Sequence, residues 1–244
     1  MPLRAVESTR LYRQIADQIA ALIAGGEFHV GDRLPAEREL ATLLHVSRTS
    51  VREAIICLEI AGRVDVRVGS GIYVREPPAQ EAAPAVAEDA PGPFELLDAR
   101  ALIEGEIAAR AAQTVCKAEI ARLDAALARM RQGAEDAALR DAADRDFHIV
   151  IAQATGNAAL AGVVARLWNS RSHPMWRRIQ SHLHTPALHA MTLEDHAAIV
   201  AALAAHDPVL AREAMHRHLA RVAREFQRRW EYPGRPEPSP TDEI

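Results

Sequence analysis

Residues 34–74 read LPAERELATLLHVSRTSVREAIICLEIAGRVDVRVGSGIYV, and their order of elements decides how the N-terminal part of the chain folds. Leu34-Pro35-Ala36-Glu37 opens a helix, with proline near the first turn and acids at the positive end of the helix dipole. Leu40, Leu43 and Leu44 form its apolar face, and His45-Val46 ends it. Ser47 then caps a second helix, Arg48 to Ala61, whose stripe is Val51, Ala54, Ile55 and Leu58 and which stops at Gly62. Val64–Val68 and Ile72–Arg75 are short β-patterned runs around Gly69-Ser70-Gly71, which predicts a hairpin. Upstream, Thr9 to Ala24 carries Leu11, Ile15, Ile19 and Leu22 at helical spacing and stops at Gly25-Gly26. Three helices followed by a hairpin predict a winged helix-turn-helix over residues 1–76.

Outward from that stretch, residues 77–92 (PPAQEAAPAVAEDAPG) are rich in proline, alanine and acid without periodicity, which predicts a linker. From 93 to 231 the pattern is helical throughout. Six helices are expected at roughly 94–113, 117–132, 136–155, 158–176, 192–205 and 208–230. Arg177 to Met191 is a histidine-bearing connection, and residues 232–244 read as a disordered tail. The expected fold class is mainly α: a winged helix-turn-helix followed by an all-α six-helix bundle.

The 244 residues allow two domains, and the low aromatic content of 4% beside abundant alanine favours helix over sheet. No run approaches the length of a membrane span, and MPLRAVESTRLYRQ has no apolar segment of the kind a secretory signal needs. The two cysteines, Cys57 and Cys116, fall one in each expected domain. A cytoplasmic protein with reduced thiols and no membrane partner is the plain reading. The net charge of −4 does not announce a nucleic-acid partner, and residues 1–76 hold ten arginines against ten acids. DNA binding therefore needs locally placed basic groups. The turn Ser47-Arg48-Thr49-Ser50, with Arg52 one turn on and Arg38 on the preceding helix, offers them. Arginine bonds guanine in pairs, and hydroxyls suit phosphates. Any one of these arginines alone reads rather as a solvated helix face; the ordered combination is what points to DNA.

Residues 9–75 closely resemble the DNA-binding domain of the FadR-type branch of the GntR repressors. That resemblance implies groove contacts from Arg38, Ser47, Arg48, Thr49, Ser50, Arg52 and the wing-tip Gly69. It also implies a homodimer on palindromic operator half-sites. Val68 stands where fatty-acid-sensing members carry histidine.

Nine of the eleven histidines lie in the C-terminal half. Asp144 and His148 share a helix face at i, i+4. His196 lies on a stripe with Ile199, Val200 and Leu203, and His218 on one with Leu210, Ala214 and Val222. Ligand-type residues on inward faces are either hydrogen-bonded core residues or ligands of a shared metal. The segments Asp144–His148, Glu194–His196 and Met215–Leu219 resemble the metal-ligand segments of the C-terminal FCD domain in this repressor branch. The resemblance implies a divalent metal, Zn²⁺ first, on Asp144, His148, His196 and His218, with Asp146 and His216 as neighbouring alternatives.

Such a site leaves coordination positions open to a small carboxylate. Arg100, on a stripe with Leu96, Ile103 and Ile107, is a candidate to hold it, with a salt bridge to Glu104 as the competing role. PFELLDARALIEGEIAARAA (93–112) and ATGNAALAGVVARLWNSRSHPMW (154–176) resemble the hexuronate-responsive repressors, which implies a sugar-acid effector; Asn169 and Arg171 are candidates to bond its hydroxyls and carboxylate, and a helix terminus with exposed polar groups is the equal competing reading of that segment. Two other function classes compete: a regulator for which the metal itself is the signal, and a metalloenzyme. The second lacks an HExxH-type pairing or an obvious general base.

Overall fold

The computed structural model describes residues 10–67, 70–76, 91–177 and 185–230, with side chains through 227. Most of the expected linker, the C-terminal tail, and Val68 and Gly69 of the wing tip lie outside the described residues. The chain divides into two compact units, the first built on residues 10–76 and the second on most of residues 93–226.

In the first unit, α1 (Leu11–Ala24), α2 (Glu37–Leu44) and α3 (Arg48–Ile60) precede β1 (Val64–Arg67) and β2 (Gly71–Val74). α3 is the hub: Val51, Ala54, Ile55 and Ile56 are fully buried, against Ile15 and Ile19 of α1 and Leu40 of α2. Each buried valine, leucine or isoleucine among them contributes about 1.5–3 kcal/mol. The strands pair antiparallel, Val64 opposite Val74 and Val66 opposite Ile72, which turns Val64, Ile72 and Val74 inward. The chain before α2 adds to the same ribbon, with the Leu34 amide donating to the Ile72 carbonyl at 2.9 Å. Gly71 takes a φ of +143°, and a Cβ there would meet Arg33 Nε at 2.6 Å. Only glycine lets the ribbon cross at that point.

The second unit holds α4 (Pro93–Thr114), α5 (Lys117–Gln132), α6 (Ala137–Ala154), α7 (Ala158–Asn169), α8 (Pro186–Ala204) and α9 (Pro208–Trp230). Its core runs through Leu123 and Met130 of α5, Phe147 and Ile151 of α6, Ile199 and Leu203 of α8 and Met215 of α9. Among the described residues no helix is long and apolar enough to cross a membrane.

Two boundaries differ from expectation. The helix expected over 158–176 ends at Asn169 and passes into a 3-10 turn, Ser170–Ser172. The Ser170 hydroxyl bonds the Arg166 carbonyl and that of Ser172 the Asn169 carbonyl, competing with the helical ladder. Pro174 cannot continue a helix begun upstream of it. The helix expected from residue 192 begins at Pro186, because Thr185 caps it by accepting from the Leu188 amide at 3.2 Å. A proline at the first helical position after a threonine is a start signal.

Candidate functional site

At the start of α3 the Ser47 hydroxyl accepts from the Ser50 amide at 3.0 Å and lies 2.9 Å from the Ser50 hydroxyl, so the cap expected from sequence forms. Arg38, Ser47 and Arg48 are exposed, and Thr49 and Ser50 half-buried. Ser47, Arg48, Thr49 and Ser50 offer guanidinium and hydroxyl groups at the N-terminus of α3, a surface suited to phosphates and base edges, and Arg38 adds a guanidinium in the first turn of α2. Arg52 does not join them. It is 3% exposed and donates from Nε and Nη2 to the Glu37 carboxylate, with Nη2 to Oε2 at 2.9 Å. This pairing speaks against the expectation that it reads a base: Arg52 flanks the buried Val51–Ile55 stripe, and the carboxylate stabilises a guanidinium buried there. Arg52 thereby locks α2 onto α3. Gly69 lies outside the described residues.

In the second unit, α6 presents Asp144 and His148, α8 His196 and α9 His218, from the core-facing stripes read in the sequence. One ring nitrogen from each of the three histidines lies within 4.8 Å of the others, and all three side chains are buried. His196 Nε2 is 3.2 Å from His218 Nε2. Asp144 Oδ1 is 3.5 Å from His148 Nε2 and 3.6 Å from His196 Nε2. Asp144 Oδ1 and His148 Nε2 are buried with no hydrogen-bond partner. Asp146 and His216, the neighbouring alternatives, are turned away. Asp146 pairs with Arg129 at 2.9 Å, and His216 is exposed, its Nε2 packed against Gly105 where a Cβ would come within 2.0 Å.

A carboxylate stands behind two of the three imidazoles. Glu104 accepts from His148 Nδ1 on one oxygen and from Arg100 Nε on the other, the latter at 2.6 Å. Asp195 lies 3.8 Å from His218 Nδ1 and 2.9 Å from Arg221 Nε. Glu104 and Asp195 escaped the sequence reading as members of the site. Their signals were present, since Glu104 follows Arg100 by one turn and Asp195 precedes His196.

The effector candidates separate. Arg100 is 2% exposed and makes the salt bridge that competed with its effector role, but its Nη2 remains without a partner. Arg171 donates from Nη1 to Asp144 Oδ2 at 3.1 Å. Asn169 is not brought to the cluster; it is exposed and its carbonyl oxygen accepts from Arg145.

Burial opposes ionisation of Asp144, but the nearby His148 and the charge of Arg171 hold its carboxyl well below the usual range. Burial holds His196 well below its ordinary pKa, reinforced by His218, and burial likewise lowers His218 against the pull of Asp195. Burial also opposes charging of His148, yet Glu104 and Asp144 outweigh it and raise its pKa. In metal-free protein, the neutral forms of His196 and His218 stabilise the fold fully above their unfolded value of 6.5. That contribution is lost as pH falls toward their lowered values. His148 acts oppositely, its contribution lost as pH rises through its raised value. With two of three groups lowered, the unfolding midpoint of chelator-treated protein is expected to drop from pH 7.5 to 5.5. Circular dichroism melts at the two pH values check this, and a midpoint that rises on acidification contradicts it.

A DNA-suited helix N-terminus in a winged unit, followed by a separate helical unit, is the architecture of a transcription regulator. The comparisons with known proteins agree. Residues 11–74 match the family model described as bacterial regulatory proteins, gntR family, and residues 95–221 match the FCD domain. The chain belongs to the GntR family of transcription regulators that carry an FCD domain. It is 44% identical over 222 residues to the Exu regulon transcriptional regulator of Escherichia coli strain K12, covering 89% of this chain and 84% of that one. It is 39% identical over 225 residues to the Uxu operon transcriptional regulator of the same strain, covering 89% and 87%. The solved structure of Escherichia coli McbR/YncC superposes with a TM-score of 0.50 at 20% identity, covering 91% of this chain and 99% of that one, which speaks for the fold alone. These relatives are regulators and not enzymes, so the metalloenzyme reading falls away.

Proposed function

We propose that the protein is a cytoplasmic, homodimeric repressor whose grip on palindromic operator half-sites is weakened by a small sugar acid bound at a metal in the FCD domain. The observation that carries this is the set of buried, inward-facing donors on Asp144, His148, His196 and His218, two of them without a partner. The donor set fits Zn²⁺, with three imidazoles and a carboxylate oxygen. Glu104 and Asp195 are placed to orient two of those imidazoles, as carboxylates behind metal-bound histidines commonly do. The metal would supply a Lewis-acidic centre for an oxygen ligand.

Charge gives the effector its sign. Arg100, Arg171 and Arg221 are paired with Glu104, Asp144 and Asp195, three cations against three anions. A divalent ion added to that balanced set leaves a buried positive surplus, which an anionic ligand relieves. The Exu and Uxu regulators among the relatives favour a hexuronate-type acid as that anion. Arg100 lies on α4, which follows directly from the linker, so a shift there would alter the spacing of two recognition helices on paired half-sites.

Gel-shift titration of zinc-loaded protein with operator DNA, with and without galacturonate or glucuronate, tests the reading. Uronate is expected to weaken operator binding, and operator to weaken uronate binding by the same factor. If zinc alone changes DNA affinity and uronates have no effect, the metal is the signal. In the same assay Arg48→Ala is expected to cost about 1–3 kcal/mol of specific binding and to relax preference at one base position. Unchanged affinity and preference would remove Arg48 from the groove. Light scattering at micromolar concentration is expected to give twice the chain mass.

A further inference from the structure

Trp168, near the end of α7, is 4% exposed, and its indole Nε1 has no hydrogen-bond partner. A buried indole N–H normally finds an acceptor, because leaving it without one costs free energy. The surroundings are unusual for a core tryptophan. The guanidinium carbon of Arg100 lies 4.2 Å from its ring, that of Arg171 4.0 Å, and the His148 ring centroid 4.9 Å. Two cations share one aromatic ring, although burial and the charge of Arg100 disfavour the charged form of Arg171. Arg100 is fixed by Glu104 through Nε, yet its Nη2 is also buried and without a partner. Two orphaned donors on contacting side chains, Trp168 Nε1 and Arg100 Nη2, therefore sit beside His148 of the cluster.

We propose that Trp168 is the specificity-determining residue of the effector site. Its indole N–H and Arg100 Nη2 together donate to an oxygen of a carboxylate or hydroxyl on the ligand held at the cluster. The assignment rests on the sugar-acid reading above and adds to it a named donor. An indole N–H only donates, so it selects an oxygen acceptor and rejects an apolar group of the same size. The stacked guanidiniums keep the ring in place whether or not the ligand is bound.

The test compares wild type with Trp168→Phe, which keeps an aromatic ring for the two arginines and deletes the N–H. Calorimetry on zinc-loaded protein uses galacturonate, glucuronate and acetate as probes. Trp168→Phe is expected to bind zinc with unchanged stoichiometry and the uronate about 5- to 100-fold more weakly, the range of one buried hydrogen bond. Equal uronate affinity in the two proteins overturns the assignment while leaving the sugar-acid reading intact. Loss of zinc in Trp168→Phe makes Trp168 a support of the cluster and overturns it too. If wild type binds none of the three probes, the sugar-acid reading fails and the donor role with it. Should the variant not fold, wild-type protein with ¹⁵N-labelled indoles gives a second measurement, its signals assigned with Trp176→Phe and Trp230→Phe. A uronate-induced shift of the Trp168 N–H resonance supports the proposal, and an unmoved resonance at saturation refutes it.

Discussion

Arg52→Ala is expected to lose about 3 kcal/mol of stability in the winged unit, since it removes the guanidinium that donates from two nitrogens to the buried Glu37 carboxylate. Glu37 is 4% exposed, so its carboxylate is shielded from water. Urea unfolding followed by circular dichroism reads the loss directly. The exposed Arg48→Ala, one turn earlier, is expected to stay within about 0.5 kcal/mol of wild type, as surface substitutions usually do. Replacing both partners, Glu37→Leu with Arg52→Met, is expected to recover most of the stability, because no lone charge remains. The three variants separate structure from recognition. If Arg52→Ala unfolds like wild type and only operator affinity falls, Arg52 reads DNA and its pairing with Glu37 gives way in the complex.

Zinc is expected to raise the unfolding midpoint of the chelator-treated protein, with about 2.7 kcal/mol of added stability at free zinc 100-fold above its dissociation constant. One equivalent per chain should saturate the effect. His196→Ala removes a ligand and is expected to abolish the zinc-dependent rise, whereas His216→Ala, whose ring packs against Gly105 instead, should leave it intact. Glu104→Gln is expected to weaken zinc about 10- to 100-fold without changing the stoichiometry, the usual loss when a carboxylate behind a metal-bound histidine is removed. Identical midpoints with and without zinc in wild type would show that the donor set holds no metal. The same midpoints in wild type and His196→Ala at saturating zinc would place the ion elsewhere.

Local patterns carried much of this protein. The apolar stripe of α3, the Ser47 cap and the glycine-flanked hairpin each depend on neighbours a few residues away, so 34–74 was enough to specify a winged helix-turn-helix. The inward stripes of α6, α8 and α9 placed His148, His196 and His218 correctly for the same reason: a helix of period 3.6 assigns each side chain a face before the bundle assembles. Even the missed start of α8 was local, written in Thr185-Pro186. Which charges meet across helices was not. Arg52 and Arg48 are both arginines at one end of one helix, and only the packing of α2 decides that one is paired with Glu37 and the other exposed. Asn169 and Arg171 lie two residues apart, and only the 3-10 turn between them sends one to the surface and the other to Asp144. Glu104 becomes the hinge of the buried network because α4 packs against α6, 44 residues further along the chain, bringing His148 onto a carboxylate that sequence spacing pairs only with Arg100. Periodicity assigns a residue its face, but the partner it meets there is set by long-range packing, and buried charge makes that choice energetically decisive.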